Sequence, residues 1–232
     1  VPRNIGAVGI AGIAFETVAG TFVPPTKFFP ILSETLDYQQ NTSWRRSIRA
    51  VADTHGAVHG GTWIAGDITF EVLDDVLPYF LYISRNSMVK SGTTPNWVYT
   101  STPAHVGTVP PAKPAASIAI MRNAQTFGYA GCVVVAMEFT INNGVLECKC
   151  GIIGRKEASA TNPSPTWPTS APYGMDAHTL NVAGTPVTDA DTITFTINDA
   201  GNPIFRLSSL NAVDISWGER TVTAKADRDF DT

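Results

Sequence analysis

The sequence predicts a mainly β protein, and three observations carry that expectation. Among 232 residues there are 27 Thr, 19 Gly and 16 Pro, a mixture of β-branched and turn-forming residues. Charged residues are only 16 % against a usual value of about 25 %, while apolar residues reach 44 %, enough for a sizeable core. Apolar and polar residues alternate with period two in several segments, whereas a helical period is seen only once.

Taken along the chain, the apolar, Gly-rich run from Ile5 to Phe15 has the composition of a signal core. Only Arg3 precedes it and no clean cleavage pattern follows, so it reads as part of the fold. Trp63 to Val72 reads as extended and leads into Asp74 and Asp75. With Asp75 as N-cap, a short amphipathic helix is expected over 76–84, presenting Leu77, Phe80, Leu81 and Ile83 to a core. The clearest hairpin runs from Cys132 to Cys150. Val133, Val135, Met137, Phe139 and Ile141 form one apolar row, Asn142, Asn143 and Gly144 supply the turn, and Leu146, Cys148 and Cys150 share a face on the return. Further strands are expected at Thr192–Ile197 and Thr221–Lys225.

Two Pro-rich stretches, 102–114 and 159–172, interrupt the pattern. The second suggests a β domain over 1–158, a linker or loop over 159–172, and further strands over 173–232. A weak internal repeat relates the segment from Asn41 to Asp75 to the one from Asn198 to Asp229, in which case the second copy ends early.

The charge pattern excludes some functions. A formal charge of −4 gives no general attraction to nucleic acid or anionic lipid, and no stretch reaches the length of an apolar membrane helix. Three cysteines do not make a disulfide framework, so buried free thiols are expected. His55 and His59 sit four apart on a Gly-rich stretch read as irregular, which gives them no preset metal-binding face. His105 and His178 have no nucleophile motif alongside. Glu34, Asp37, Asp74 and Asp75 supply carboxylates, but nothing places a pair for hydrolysis. No enzyme, cofactor or metal site is expected.

The sharpest charge feature is Trp44-Arg45-Arg46-Ser47-Ile48-Arg49, shortly before Asp53. Three arginines beside an aromatic could grip phosphate, pair with carboxylates of a neighbouring subunit, or stand as a solvated arm. The low overall charge favours subunit pairing through Trp44, Arg45, Arg46, Arg49 and Asp53. A different class of function, a secreted β-sandwich module binding carbohydrate through Trp97, Tyr99, Trp167 and Tyr173, is the alternative.

Several of these residues together resemble a family. They include the Gly6 to Gly12 run, Glu16, Thr17, Gly20 and Thr21, and Pro24-Pro25-Thr26-Lys27-Phe28-Phe29-Pro30. Ser33, Glu34 and Leu36 follow, then Trp44-Arg45-Arg46, Gly60-Gly61, Gly66-Asp67 and the helix start at Asp74, Asp75, Leu77 and Pro78. This set, with the Met137 to Gly154 hairpin and the Thr192 to Asn198 strand, resembles the tail tube (major tail) proteins of long-tailed, non-contractile bacteriophages. The resemblance implies a tail-tube-like β-sandwich with one short flanking α-helix and long loops. It also implies a virion role: homo-hexameric rings, joined through a ring-wide β-barrel, stack into a hollow tube through which the genome passes. The implied partners are identical copies, the tape measure, tail tip and terminator proteins, and DNA in transit, with no membrane and with assembly in the host cytoplasm.

Overall fold

The computed structural model describes residues 9–44, 56–84, 87–93, 96–102, 114–122, 125–142, 144–162, 164–174, 180–182, 185–187 and 190–228. In chain order the first elements are β1 (Ile10–Phe15), β2 (Lys27–Phe29), β3 (Ser33–Glu34), β4 (Asp37–Trp44), β5 (Ala57–Glu71) and α1 (Leu77–Ser84). Next come β6 (Ser87–Thr93), β7 (Asn96–Thr102), β8 (Ala116–Arg122), β9 (Gln125–Asn142), β10 (Val145–Gly154) and β11 (Lys156–Ser159). The last are β12 (Leu180–Val182), β13 (Thr185–Val187), β14 (Ala190–Asn198), β15 (Asn202–Ile204), β16 (Asp214–Ser216) and β17 (Thr221–Arg228). Among the described residues the molecule is mainly β and sandwich-like, with open sheets and one short helix.

Two sheets share the long strand β9. Its first half pairs with β8 and β11, and β8 continues through β1 to β2. Its second half pairs with β10 on one side and β14 on the other. From there the second sheet runs outward to β17 through β14, and to β5, β3 and β4 through β10. The strand turns the corner at Gly131, whose φ of +69° is left-handed and comfortable only for glycine. The register against β8 shifts at this point, so the corner is a bulge. Glu16 holds it: Oε1 accepts from the Gly131 amide at 2.8 Å and from Ser117 Oγ at 2.7 Å.

The core lies between the sheets and under α1. Phe29, Phe70 and Phe80 meet at its centre, Phe29 edge-on to both others and Phe70 stacked on Phe80 with centroids 4.6 Å apart. Cys132, Cys148 and Cys150 are fully buried free thiols, and burial pushes the Cys132 and Cys150 thiols well up. Tyr129, also buried, donates to the Leu36 carbonyl, and desolvation pushes its phenol up to about 12.

The expected hairpin is present, but its apolar row is not one face. Between Ala136, opposite Gly151, and Val134, opposite Ile152, the register shifts, so Val135 is the extra residue of a second bulge. Cys132 and Val134 face the core before the bulge, and Met137 faces it after. Val135 turns away, lies against Gly201 and accepts a hydrogen bond from the Asp199 amide at 2.7 Å. Asn143, in the expected turn, lies outside the described residues; Gly144 has φ +82°.

Two other expectations are corrected. The helix forms over Leu77–Ser84, but Asp75 does not cap it: its carboxylate pairs with Lys27 Nζ and accepts from Ser170 Oγ, while the Leu73 carbonyl receives the Leu77 amide. The Gly-rich stretch read as irregular is strand from Ala57 onward, with His59 opposite Thr42; His55 lies outside the described residues. A Cβ at Gly60 would press on Asn41, and one at Gly61 would collide with the Phe205 ring, so these glycines make room for close neighbours within the sheet.

The second Pro-rich stretch ends pinned to the sheet. The Tyr173 amide donates to the Val72 carbonyl, and the Tyr173 carbonyl accepts from Leu146. Beyond it β14 joins β9 directly, so strands from both sides of that stretch share one sheet.

Candidate subunit interface

The second sheet has six positions, β17, β14, β9, β10, β5 and then β3 with β4, and every adjacent pair is antiparallel. β3 and β4 act as one edge strand: Ser33 opposes Thr69, Glu34 opposes Ile68, and Asp37 opposes Ala65 in a continuous register. With six alternating positions, the two edges run in opposite directions. Among the described residues, β17 pairs only with β14, and β3 and β4 only with β5.

Both edges are long, and among the described residues no further strand pairs with either. β17 (TVTAKADR) and β4 (DYQQNTSW) are each eight residues long and neither contains Pro; β4 contains no Lys, whereas β17 carries Lys225, Asp227 and Arg228. Exposed sheet edges in soluble proteins are ordinarily blunted by such residues, by shortness or by a covering element. Seven of the eight β4 residues are exposed, as are Thr221 to Asp227 of β17.

The two faces of this sheet differ in chemistry because the strands alternate. One face looks into the core. The opposite face carries Thr192, Thr194 and Thr196 of β14, Thr140 and Glu138 of β9, Glu147 and Lys149 of β10, and Asp67, Thr69 and Glu71 of β5. Lys225 and Asp227 of β17 extend it. Among the described residues, six carboxylates (Asp37, Asp67, Glu71, Glu138, Glu147, Asp227) stand on it against two ammonium groups (Lys149, Lys225) and no arginine. The pairs Lys149–Asp67 at 3.1 Å and Lys225–Asp227 at 2.9 Å leave the remaining carboxylates to set a net negative sign.

Of the interface residues expected from sequence, Trp44 closes β4 and is 62 % exposed. Arg45, Arg46, Arg49 and Asp53 lie outside the described residues. Two of the four carboxylates weighed for hydrolysis are held by cations: Glu34 takes a bidentate pair from Arg122, both bonds 2.7 Å, and Asp75 is paired with Lys27. The hydrogen bonds to Glu34 raise the already high pKa of Arg122 further, against the desolvation of its partly buried guanidinium, which lowers it. Of the aromatics weighed for carbohydrate, Trp167 and Tyr173 are partly exposed, and Trp97 and Tyr99 stand on β7, whose side chains there are not described. An open cleft of about 600 Å³ beside β11 is lined by residues that include Gln125, Phe127, Glu157 and Asn162, but neither Trp167 nor Tyr173.

Sequence reasoning singled out Trp44 but missed the two edges, because which strand ends a sheet is a long-range property with no local signal. It missed the acidic face for the same reason. Those charges come from five strands and converge only once the register is known.

No curated protein matches this chain. A family model described as phage tail tube protein matches residues 6–232, nearly the whole length. With its β-sandwich, open sheet edges and that match, the chain belongs to the phage tail tube protein family, a structural component of the virion tail.

Proposed function

We propose that this chain closes into hexameric rings by pairing β17 of one copy with the β3–β4 edge of the next, and that the rings stack into a tube conducting the viral genome. The observation that carries this reading is the pair of long edges, unpaired among the described residues and running in opposite directions. Rotation about a ring axis brings one edge beside the other, and the opposite directions make the new junction antiparallel like every junction within the subunit. The sixfold order follows the family resemblance. The tape measure, tail tip and terminator proteins are its further partners, and assembly takes place in the host cytoplasm.

Closure also decides which face lines the channel. The core face carries the other sheet and α1, whose bulk has to lie outside the cylinder. The Thr-rich acidic face then turns inward, where six carboxylates against two ammonium groups repel phosphate instead of holding it. We assign subunit pairing to Trp44, which ends the edge strand β4, and to Arg45, Arg46, Arg49 and Asp53, which follow it in sequence.

Size-exclusion chromatography and negative-stain microscopy test the reading on purified chain. Rings or tubes are expected, and Arg45→Glu with Arg46→Glu is expected to reduce polymerisation while the circular dichroism spectrum stays native. A chain that stays monomeric at high concentration overturns ring closure. Unchanged polymerisation of the charge-reversed variant removes the arm's role alone.

A further inference from the structure

The core-side face of the second sheet does not end where the core ends. Phe195 lies in a cross-strand row with Phe139, Cys148 and Phe70, yet it is 37 % exposed, and Val222 beside it on β17 is 53 % exposed. Past the sandwich, β14 and β17 project as a two-stranded wing whose core-side positions on β17 are Val222, Ala224 and Ala226, followed at the strand's end by Arg228; the first three are uncharged. Two alanines between larger neighbours make that surface a shallow trough. Lys225 and Asp227 occupy the other face.

The opposite edge carries the complementary shape. Tyr38 opposes the fully buried Ile64 and therefore points to the core side; alternation along β4 puts Trp44 on the same face. These rings are 43 % and 62 % exposed, and the positions between them on that face, Gln40 and Thr42, are uncharged.

We infer that Tyr38 and Trp44 of one copy seat on the Val222–Ala224–Ala226 trough and the Phe195 ring of the next. This rests on the ring-closure reading above. In a continuous antiparallel sheet, β4 and the neighbour's β17 present their core-side faces on the same side. The aromatic pair then lies across the seam from the trough, whose Val222, Ala224 and Ala226 carry no charge to desolvate. Large flat side chains on small residues provide the buried contact that backbone pairing alone lacks, and buried Trp and Tyr dominate interface energies. The occupant is a second copy of this chain because tube assembly sets identical subunits side by side.

The test uses the full chain with four variants: Tyr38→Ala/Trp44→Ala, Val222→Asp, Gln39→Ala on the opposite face of β4, and Thr223→Pro to interrupt the β17 edge. The first two are expected to raise the concentration needed for tube assembly at least about tenfold with native circular dichroism. Gln39→Ala is expected to leave it unchanged. Trp44 fluorescence, isolated as the difference between wild type and Trp44→Phe, is expected to shift to the blue on assembly. If Thr223→Pro blocks assembly while the aromatic pair and Val222 prove dispensable, the seat is wrong and edge pairing stands. If Thr223→Pro assembles normally, edge pairing itself falls. A Trp44 signal already blue-shifted in the monomer would mean that the same copy covers it, and would overturn the inference.

Discussion

Asp199 leaves the end of β14 and Arg220 leads into β17, so one side-chain pair closes the excursion that carries β15 and β16. The carboxylate is almost fully buried, with 7 % of its side chain exposed, and takes a bidentate pair from the guanidinium at 2.5 and 2.8 Å. Arg220 also reaches the Ser84 carbonyl at the end of α1. Removing Arg220 leaves a buried carboxylate without its cation, whereas the exposed Lys225–Asp227 pair can be lost at little cost. Arg220→Met is therefore expected to lower unfolding stability by about 3 kcal/mol and Lys225→Met by less than about 0.5 kcal/mol, read from urea midpoints at neutral pH. Equal effects of the two substitutions would show that the latch does not depend on burial.

At the scale of single elements, the corner in β9 determines how one strand serves two sheets. Gly131 combines a left-handed φ with a tight fit: a Cβ there would stand 2.6 Å from Arg155 Cγ. Gly131→Ala is expected to destabilise through both terms, while Arg155→Ala relieves only the second. The double variant is therefore expected to recover part of the loss and to retain about 1 kcal/mol of backbone strain. Full recovery in a double-mutant cycle by chemical denaturation would mean that the φ carries no cost.

The same strand shows what was legible beforehand. Its hairpin with β10, the two neighbouring thiols on a buried face and the helix beginning near Leu77 could be read because alternation and turn residues are local signals. The bulge at Val135 could not, since Val133, Val134 and Val135 are apolar on both rows and leave no phase to detect. Gly60 and Gly61 were misread because a glycine pair in a strand has the composition of a loop; only Asn41 and Phe205 across from them explain it. For Asp75 the local pattern indicated a cap, and the distant Lys27 and Ser170 captured the carboxylate instead.

On the scale of the whole molecule, a modest net charge of −4 hides an uneven distribution. One sheet face gathers six carboxylates and two ammonium groups, and closure of the ring would turn that face toward passing DNA. A channel bearing cations would condense on phosphates, releasing counterions and holding the duplex with a steep salt dependence; an acidic one lets it slide. Glu138→Lys with Glu147→Lys cancels the negative sign of the face, leaving four carboxylates against four ammonium groups per copy. Both side chains point away from the core and sit on central strands, so neither edge is altered and tubes are expected to form as before. In virions carrying the variant, genome ejection in vitro is expected to slow at low ionic strength and to return toward the wild-type rate as salt is raised, because the retarding contacts are screened. An ejection rate indistinguishable from wild type at low salt, with DNA instead coating the outside of isolated tubes, would put this face on the exterior and require the sandwich to be turned over.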